Sequence, residues 1–334
     1  MTAPRRVIFG CAGLRLSSGE RRFFGAAQPW GFILFARNIA DPAQLRALVD
    51  DLRAAVGRDA PVLIDQEGGR VQRMGPPYWR GWLPPLEQTA RAIARARDPG
   101  RAMYLRGRLI AAELAAVGID VNCAPLADIA GAATHPFLRN RCYGETPDMV
   151  ATLARAMAKG LMGGGVLPVI KHLPGHGRAQ SDSHLALPVV DAAADVLETS
   201  DFAPFQALND LPLGMTGHLL FPMLDPSGPV TTSARMIALI RDRIGFGGAL
   251  MTDDISMQAL AGPVTARAAA ALAAGCDLVL HCNGDPAEME ALTQVCPVLD
   301  GAAQARCDAA LAARRASDTA DLVALAKEYD ALLA

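Results

Sequence analysis

Eight short, almost uninterrupted apolar runs punctuate this chain: "RVIFG", "GFILFA", "PVLID", "IDVNCAPL", "GVLPVI", "LPLGMT", "GALMT" and "CDLVLH". They do not alternate apolar with polar, which is the pattern of parallel strands covered on both faces. The segments between them read as helices. Four announce their starts with a capping residue followed by proline at the first helical position: Asp41-Pro42, Asp98-Pro99, Thr146-Pro147 and Asp285-Pro286. Gly57 and Gly118 mark two of the stops. Eight strand-helix alternations predict the α/β class and a (β/α)8, TIM-type barrel, a fold that routinely exceeds the usual domain length. We expect one domain over residues 1–334, with two terminal helices at about 301–334 packed on the outside of the barrel.

Composition narrows the function. Hydrophobic residues make up 51% and charged residues 20% of the 334, and the formal charge of -2 offers no basic surplus for nucleic acid or an anionic membrane. The seven cysteines are odd in number, scattered and without a CxxC pair, so neither a disulfide framework nor a zinc knuckle is indicated and a cytoplasmic location is expected. Arg5 and Arg6 precede only three apolar residues, Val7 to Phe9, far short of the roughly 7–15 of a signal peptide. No run of apolar residues reaches membrane-spanning length. A monomer acting on a small molecule is the expectation.

Polar residues gather just after the apolar runs: Arg37 and Asn38, Asp65, Asp128, Lys171 and His172, His218, Asp253 and Asp254, and His281. On a barrel these positions share the C-terminal face, where active sites sit. Any single strand ends in polar loop residues. Agreement along so many strands is what points to a site.

The densest stretch is "KHLPGHGRAQSDSH", residues 171–184. His172, His176 and His184 are interrupted by Pro174, Gly175 and Gly177, so the helical spacing of a zinc-binding HExxH is unavailable and no metal is expected. Asp182 and His184 are two apart, so in extended backbone both point to one side and can form a dyad that moves protons near neutrality. The spacing alone does not separate that role from a histidine hydrogen-bonded for loop rigidity. In "MTDDISM" strand alternation lets one of Asp253 and Asp254 enter a site while the other supports it or caps the next turn. "LIDQEGGRVQRM" places Asp65 at a strand end, then two glycines, then Arg70 and Arg73. Acids paired with arginine or lysine grip sugar hydroxyls, although a tight turn also uses Gly-Gly.

Taken in order and spacing, "GFILFARNI", "LIDQEGGRVQRM", "KHLPGHGRAQSDSHLALP", "MTGH" and "MTDDISM" resemble the family 3 glycoside hydrolases, in particular the single-domain bacterial β-N-acetylhexosaminidases of peptidoglycan recycling. The resemblance runs from about residue 7 to residue 282, and its histidine loop is absent from the family's β-glucosidases. It implies a retaining exo-β-N-acetylglucosaminidase without a cofactor. Asp253 would be the nucleophile, and His184, oriented by Asp182, the general acid/base. Asp65, Arg73, Arg141, Lys171, His172 and His218 would bind the sugar, and His176 would be structural. The implied substrate is N-acetylglucosamine β-1,4-linked to anhydro-N-acetylmuramic acid. The alternatives are a family 3 enzyme of other specificity, such as a β-glucosidase or a phosphorolytic hexosaminidase, and a catalytically inactive sugar-binding barrel. Leu173, Gly217 and Cys142-Tyr143 depart from common family residues without touching a proposed catalytic atom.

Overall fold

The computed structural model describes residues 3–181 and 186–334. In chain order the strands are β1 (Arg5–Phe9), β2 (Pro29–Leu34), β3 (Val62–Ile64), β4 (Gln66–Gly68), β5 (Val71–Gln72), β6 (Val121–Asn122), β7 (Leu167–Leu173), β8 (Leu213–Thr216), β9 (Ala249–Asp254) and β10 (Leu278–His281). Eight of these close a barrel in the order β1-β10-β9-β8-β7-β6-β3-β2, with neighbours parallel throughout. The remaining two, β4 and β5, form an antiparallel hairpin directly after β3. The barrel reading of the eight apolar runs therefore holds, and the Gly-Gly of "DQEGGR" lies in a hairpin rather than a strand-to-helix turn.

The runs are continuous because alternate residues fill two different cores. Ile8, Ile33, Leu63, Val169 and Met251 point into the barrel interior. Their neighbours Phe9, Phe32, Ile64, Ile170 and Leu250 point out against the helices. Period-2 alternation is present, but both faces are apolar. The helix starts form as the caps dictate. Asp41, Asp98, Thr146 and Asp285 each accept a backbone N–H of the first turn, at Gln44, Gly100 and Arg101, Met149 and Glu288, a contact worth about 1 kcal/mol per helix.

The two terminal helices part company with the expectation that both pack outside. Helix Leu322–Leu333 does so: Glu328 pairs with Arg101 at 2.7 Å and the Tyr329 hydroxyl donates to Gln88 at 2.6 Å. Helix Gly301–Ala312 instead lies across the N-terminal mouth of the barrel, where Leu299, Ala303, Cys307 and Ala310 join the interior apolar cluster beneath Trp30 and Leu278. Small residues at helical spacing let it seat closely on the strand ends. One end of the barrel is thereby closed and the other left for a site.

Candidate functional site

A cavity of about 280 Å³ opens at the C-terminal end of the barrel, near the small end of the roughly 300–1,000 Å³ typical of small-molecule sites. Ile33, Met215, Leu280 and Cys282 line it and belong to the apolar cluster of the barrel interior. Asp65, Arg70, Arg73, Arg141, Lys171, His172, His176 and Asp253 supply most of its polar wall. A larger hollow of about 830 Å³ lined by residues of 129–134, 177–181 and 187–191 lacks such a convergence of strand-end charges among the described residues, and its Arg178 is paired with Asp201 at 2.7 Å.

Asp65 and Glu67 are two apart in extended backbone, so both carboxylates reach the same side. Lys171 Nζ bridges them, at 2.9 Å from Asp65 and 2.7 Å from Glu67. Arg73 completes Asp65 at 3.0 Å. Arg141 grips Glu67 with two parallel bonds of 2.9 and 2.8 Å. Burial pushes the Asp65 carboxyl up, but Lys171 and Arg73 outweigh it and hold it well below the usual range. Glu67 follows the same balance, with Arg141 and Lys171 overcoming complete burial. Reciprocally, burial lowers Lys171 and Arg141, and their carboxylate partners more than restore them. All four groups are therefore charged at neutral pH, with donors fixed at the pocket wall before a ligand arrives.

The hairpin that carries this set is pinned from both sides. Gln66 donates to the Met74 carbonyl at 2.7 Å and accepts the N–H groups of Arg73 and Met74 at 3.0 Å. Asn122 on β6 clamps the backbone of Gln66 with two bonds of 3.0 Å. Gly68 has φ +106°, and a Cβ there would meet the buried Arg106 guanidinium at 1.8 Å, so only glycine fits. Arg106 in turn donates to the carbonyls of Glu67 and Leu83 and to Gln88.

On β7, His172 Nδ1 lies 2.7 Å from Asp128, whose other oxygen accepts the His176 N–H at 2.7 Å. Burial raises the Asp128 carboxyl, while His172 and the His176 N–H bring it below its ordinary value. An anionic Asp128 accepting Nδ1–H leaves the other ring nitrogen of His172 for the pocket. His176 stacks edge-on against His172, with ring centroids 5.4 Å apart. Burial first, and His172 second, push its imidazole down to about 4, so it is neutral at pH 7.

Asp253 stands at the end of β9. Between Leu278↔Met251 and Leu280↔Asp254 the register gains a residue on β9, a bulge of the kind that re-aims side chains next to sites. Both acids border the pocket in consequence, which simple alternation did not anticipate. Only Asp253 is available there. Asp254 accepts from Ser256 N and Oγ at 3.1 and 2.8 Å and from Cys282 N at 3.2 Å, capping the following turn as expected for one of the pair. Burial raises the Asp253 carboxyl, and His172, His218, the Asp254 N–H and Lys171 together bring it below its ordinary value. A half-buried carboxylate is thus kept anionic at the pocket wall without an ion pair of its own among the described residues, a state suited to nucleophilic attack.

His218 requires a correction. It is fully buried behind the pocket wall rather than on it, with Nδ1 2.7 Å from the Thr231 hydroxyl and Nε2 3.0 Å from the Asp254 carbonyl. Both ring nitrogens are occupied, so it shapes the surroundings of Asp253 and is not poised to touch a sugar. Asp65, Arg73, Arg141, Lys171 and His172 do converge on the pocket. Asp182 and His184 lie outside the described residues. Arg37 and Asn38 fasten neighbouring loops through the carbonyls of Cys11, Cys282 and Gly13, and His281 pairs with Glu288 at 2.8 Å. The sequence reading missed Glu67, although its i,i+2 relation to Asp65 was available, and gave Asp128 no partner. Among the described residues no group of three or more His, Cys, Asp or Glu is arranged to hold a metal ion.

Comparison with known proteins agrees with this geometry. Residues 21–315 match the model of the glycosyl hydrolase family 3 N terminal domain. A beta-hexosaminidase of Alkalilimnicola ehrlichii is 39% identical over 305 residues, covering 88% of this chain and 86% of that one, and a beta-hexosaminidase of Methylococcus capsulatus is 39% identical over 285 residues, covering 83% and 82%. Among solved structures, NagZ from Neisseria gonorrhoeae in complex with N-trifluoroacetyl-D-glucosamine superposes with a TM-score of 0.85 at 30% identity, over 99% of this chain and 96% of that chain. The same protein has also been solved in complex with zinc ion. A closed parallel barrel, a charged pocket at its C-terminal end and a match of this extent lead to one conclusion: the chain belongs to glycosyl hydrolase family 3.

Proposed function

We propose that this protein is a retaining exo-β-N-acetylhexosaminidase that releases N-acetylglucosamine from β-1,4-linked anhydro-N-acetylmuramic acid muropeptides in the cytoplasm. The observation that carries the reading is Asp253, a half-buried anionic carboxylate facing a pocket whose other acids are already paired or turned to a cap. A one-ended cavity of about 280 Å³ suits a single terminal sugar and favours exo action. The beta-hexosaminidase relatives and the N-trifluoroacetyl-D-glucosamine complex support the N-acetyl sugar.

In the proposed sequence Asp253 attacks the anomeric carbon, and the glycosidic bond breaks as His184, oriented by Asp182, protonates the leaving oxygen. Water then attacks the glycosyl ester, His184 takes its proton and Asp253 is released. Using histidine departs from the usual pair of carboxylates in retaining enzymes. Asp65, Arg73, Arg141, Lys171 and His172 hold the sugar hydroxyls and acetamide, oriented from behind by Glu67 and Asp128.

The test compares release of 4-nitrophenol from its N-acetyl-β-glucosaminide and its β-glucoside, with and without phosphate. Turnover of the N-acetyl sugar, with a covalent glycosyl adduct on Asp253 trapped by a fluorinated sugar and located by peptide mass spectrometry, is the expected result. Preference for the glucoside, or a sugar phosphate as product, would replace the specificity. No turnover of either by folded protein would leave an inactive binding barrel.

A further inference from the structure

Among the described residues four lysine and arginine cations line the pocket, and three of them are committed. Arg73, Arg141 and Lys171 each have a carboxylate within 3.0 Å. Arg70 has none among the described residues. It is exposed, lies 4.0 Å over the Phe137 ring and makes one long bond, 3.4 Å, to the Phe137 carbonyl. It is not held loosely at the backbone. Gly69 and Arg70 form the two-residue tip between β4 and β5, and the Gly69 N–H donates to the Trp82 carbonyl at 2.9 Å.

The position of this cation defines what it meets. Asp253 and Asp65 are half-buried and Glu67 is fully buried, whereas Arg70 is the exposed cation of the lining. If the terminal sugar fills the pocket, the group across the scissile bond lies outward, beside Arg70. We infer that Arg70 is the specificity-determining residue for the leaving group, and that it selects an aglycone carrying a carboxylate, as the muramic acid unit does where its lactyl group bears no peptide. The inference rests on the glycosidase reading above. An unpaired guanidinium flattened on an aromatic face is preorganised to accept a planar anion, since little side-chain freedom remains to be lost.

The experiment uses a matched pair of substrates, the β-1,4 disaccharide of N-acetylglucosamine and N-acetylmuramic acid and its lactyl methyl ester, with 4-nitrophenyl N-acetyl-β-glucosaminide as a third. Wild-type protein should favour the acid over the ester in kcat/KM by about 10-fold or more, the scale of one charge-assisted hydrogen bond. Arg70→Ala should bring that ratio close to one and Arg70→Lys should leave it between the two. Added sodium chloride should narrow the wild-type ratio, because the contact is exposed. A wild-type ratio near one, or a ratio that Arg70→Ala leaves unchanged, overturns the assignment while turnover of the nitrophenyl sugar keeps the glycosidase reading intact. Turnover of none of the three overturns both.

Discussion

The two ends of the barrel are built from the same chemistry and put to opposite uses. At the N-terminal end, Asp277 is completely buried and takes Arg306 at 2.6 Å, Arg241 at 2.7 Å and the Leu250 N–H at 2.9 Å. Asp120 takes Arg53 at 3.0 Å and also Arg314, with the Val62 N–H donating at 2.7 Å. Helix Gly301–Ala312 covers this end, and its Arg306 is part of the closure. At the C-terminal end Asp65 and Glu67 are paired equally well, yet among the described residues no helix covers them and Asp253 stands beside them without a salt bridge. Ion pairs on their own do not mark a site. What marks it is a charge left over beside a cavity.

The largest effect should come from removing that charge. Asp253→Ala is expected to lower kcat against the nitrophenyl N-acetyl sugar by at least about a thousandfold with an unchanged circular dichroism melt. Loss of activity only in proportion to loss of folded protein would erase the contrast between the ends. Next, Glu67→Gln breaks a buried pair at the open end, and Asp277→Asn breaks one at the closed end; each should cost about 3–5 kcal/mol of unfolding free energy in urea. They should differ in kinetics. The first should also raise KM as Arg141 and Lys171 lose their anchor, whereas the second should leave kcat/KM per folded molecule at the wild-type value. Matching KM changes in both would mean that the closed end is coupled to the site.

A smaller effect is expected at Asp128→Asn, which keeps a hydrogen-bond acceptor for His172 but removes its charge. The expected loss in kcat/KM is about 10-fold to 100-fold, the scale of a charge-assisted bond of 1.5–3 kcal/mol, with a shifted pH profile that a merely structural change would not produce. Smallest is the pH dependence of stability. Asp65, Glu67, Asp128 and Asp253 have folded-state values below the ordinary ones, so their contribution is present above the usual carboxylate range of about 4 and is lost as pH falls through their lower folded values. Asp120 runs the other way. Burial raises it beyond what the Val62 N–H, Arg53 and Arg314 can offset, so its contribution is present at low pH and lost as pH rises through its raised value. Urea midpoints between neutral and acid pH should therefore fall less steeply in Glu67→Gln and more steeply in Asp120→Asn than in wild type.

Much of the fold was legible because its signals are local. Strand count followed from runs of apolar residues, and helix starts followed from a cap and a proline that act within four residues of each other, as Asp41 and Pro42 do. The polar ends of the strands located the face. Less of the site was legible. His218 sits in a motif that starts on a barrel strand and runs just past its end, and nothing nearby in sequence says that Thr231 and Asp254 will consume both ring nitrogens. Glu67 could have been found from its spacing, but its partner Arg141 lies 74 residues away. The position of helix Gly301–Ala312 was not legible because Ala303, Cys307 and Ala310 have the same pattern on the outer wall as across an open barrel end.

By itself, then, the sequence determined the barrel, which of its ends could carry chemistry and the family to which the chain belongs, since short-range periodicity and ordered motifs encode all three. The tertiary structure decided which charges are spent and which are free: Arg73, Arg141 and Lys171 paired, Asp254 turned to a cap, Asp253 and Arg70 left over. The physical reason is that a charge acts through what surrounds it within a few ångströms, and those neighbours come from strands that meet only when the barrel closes.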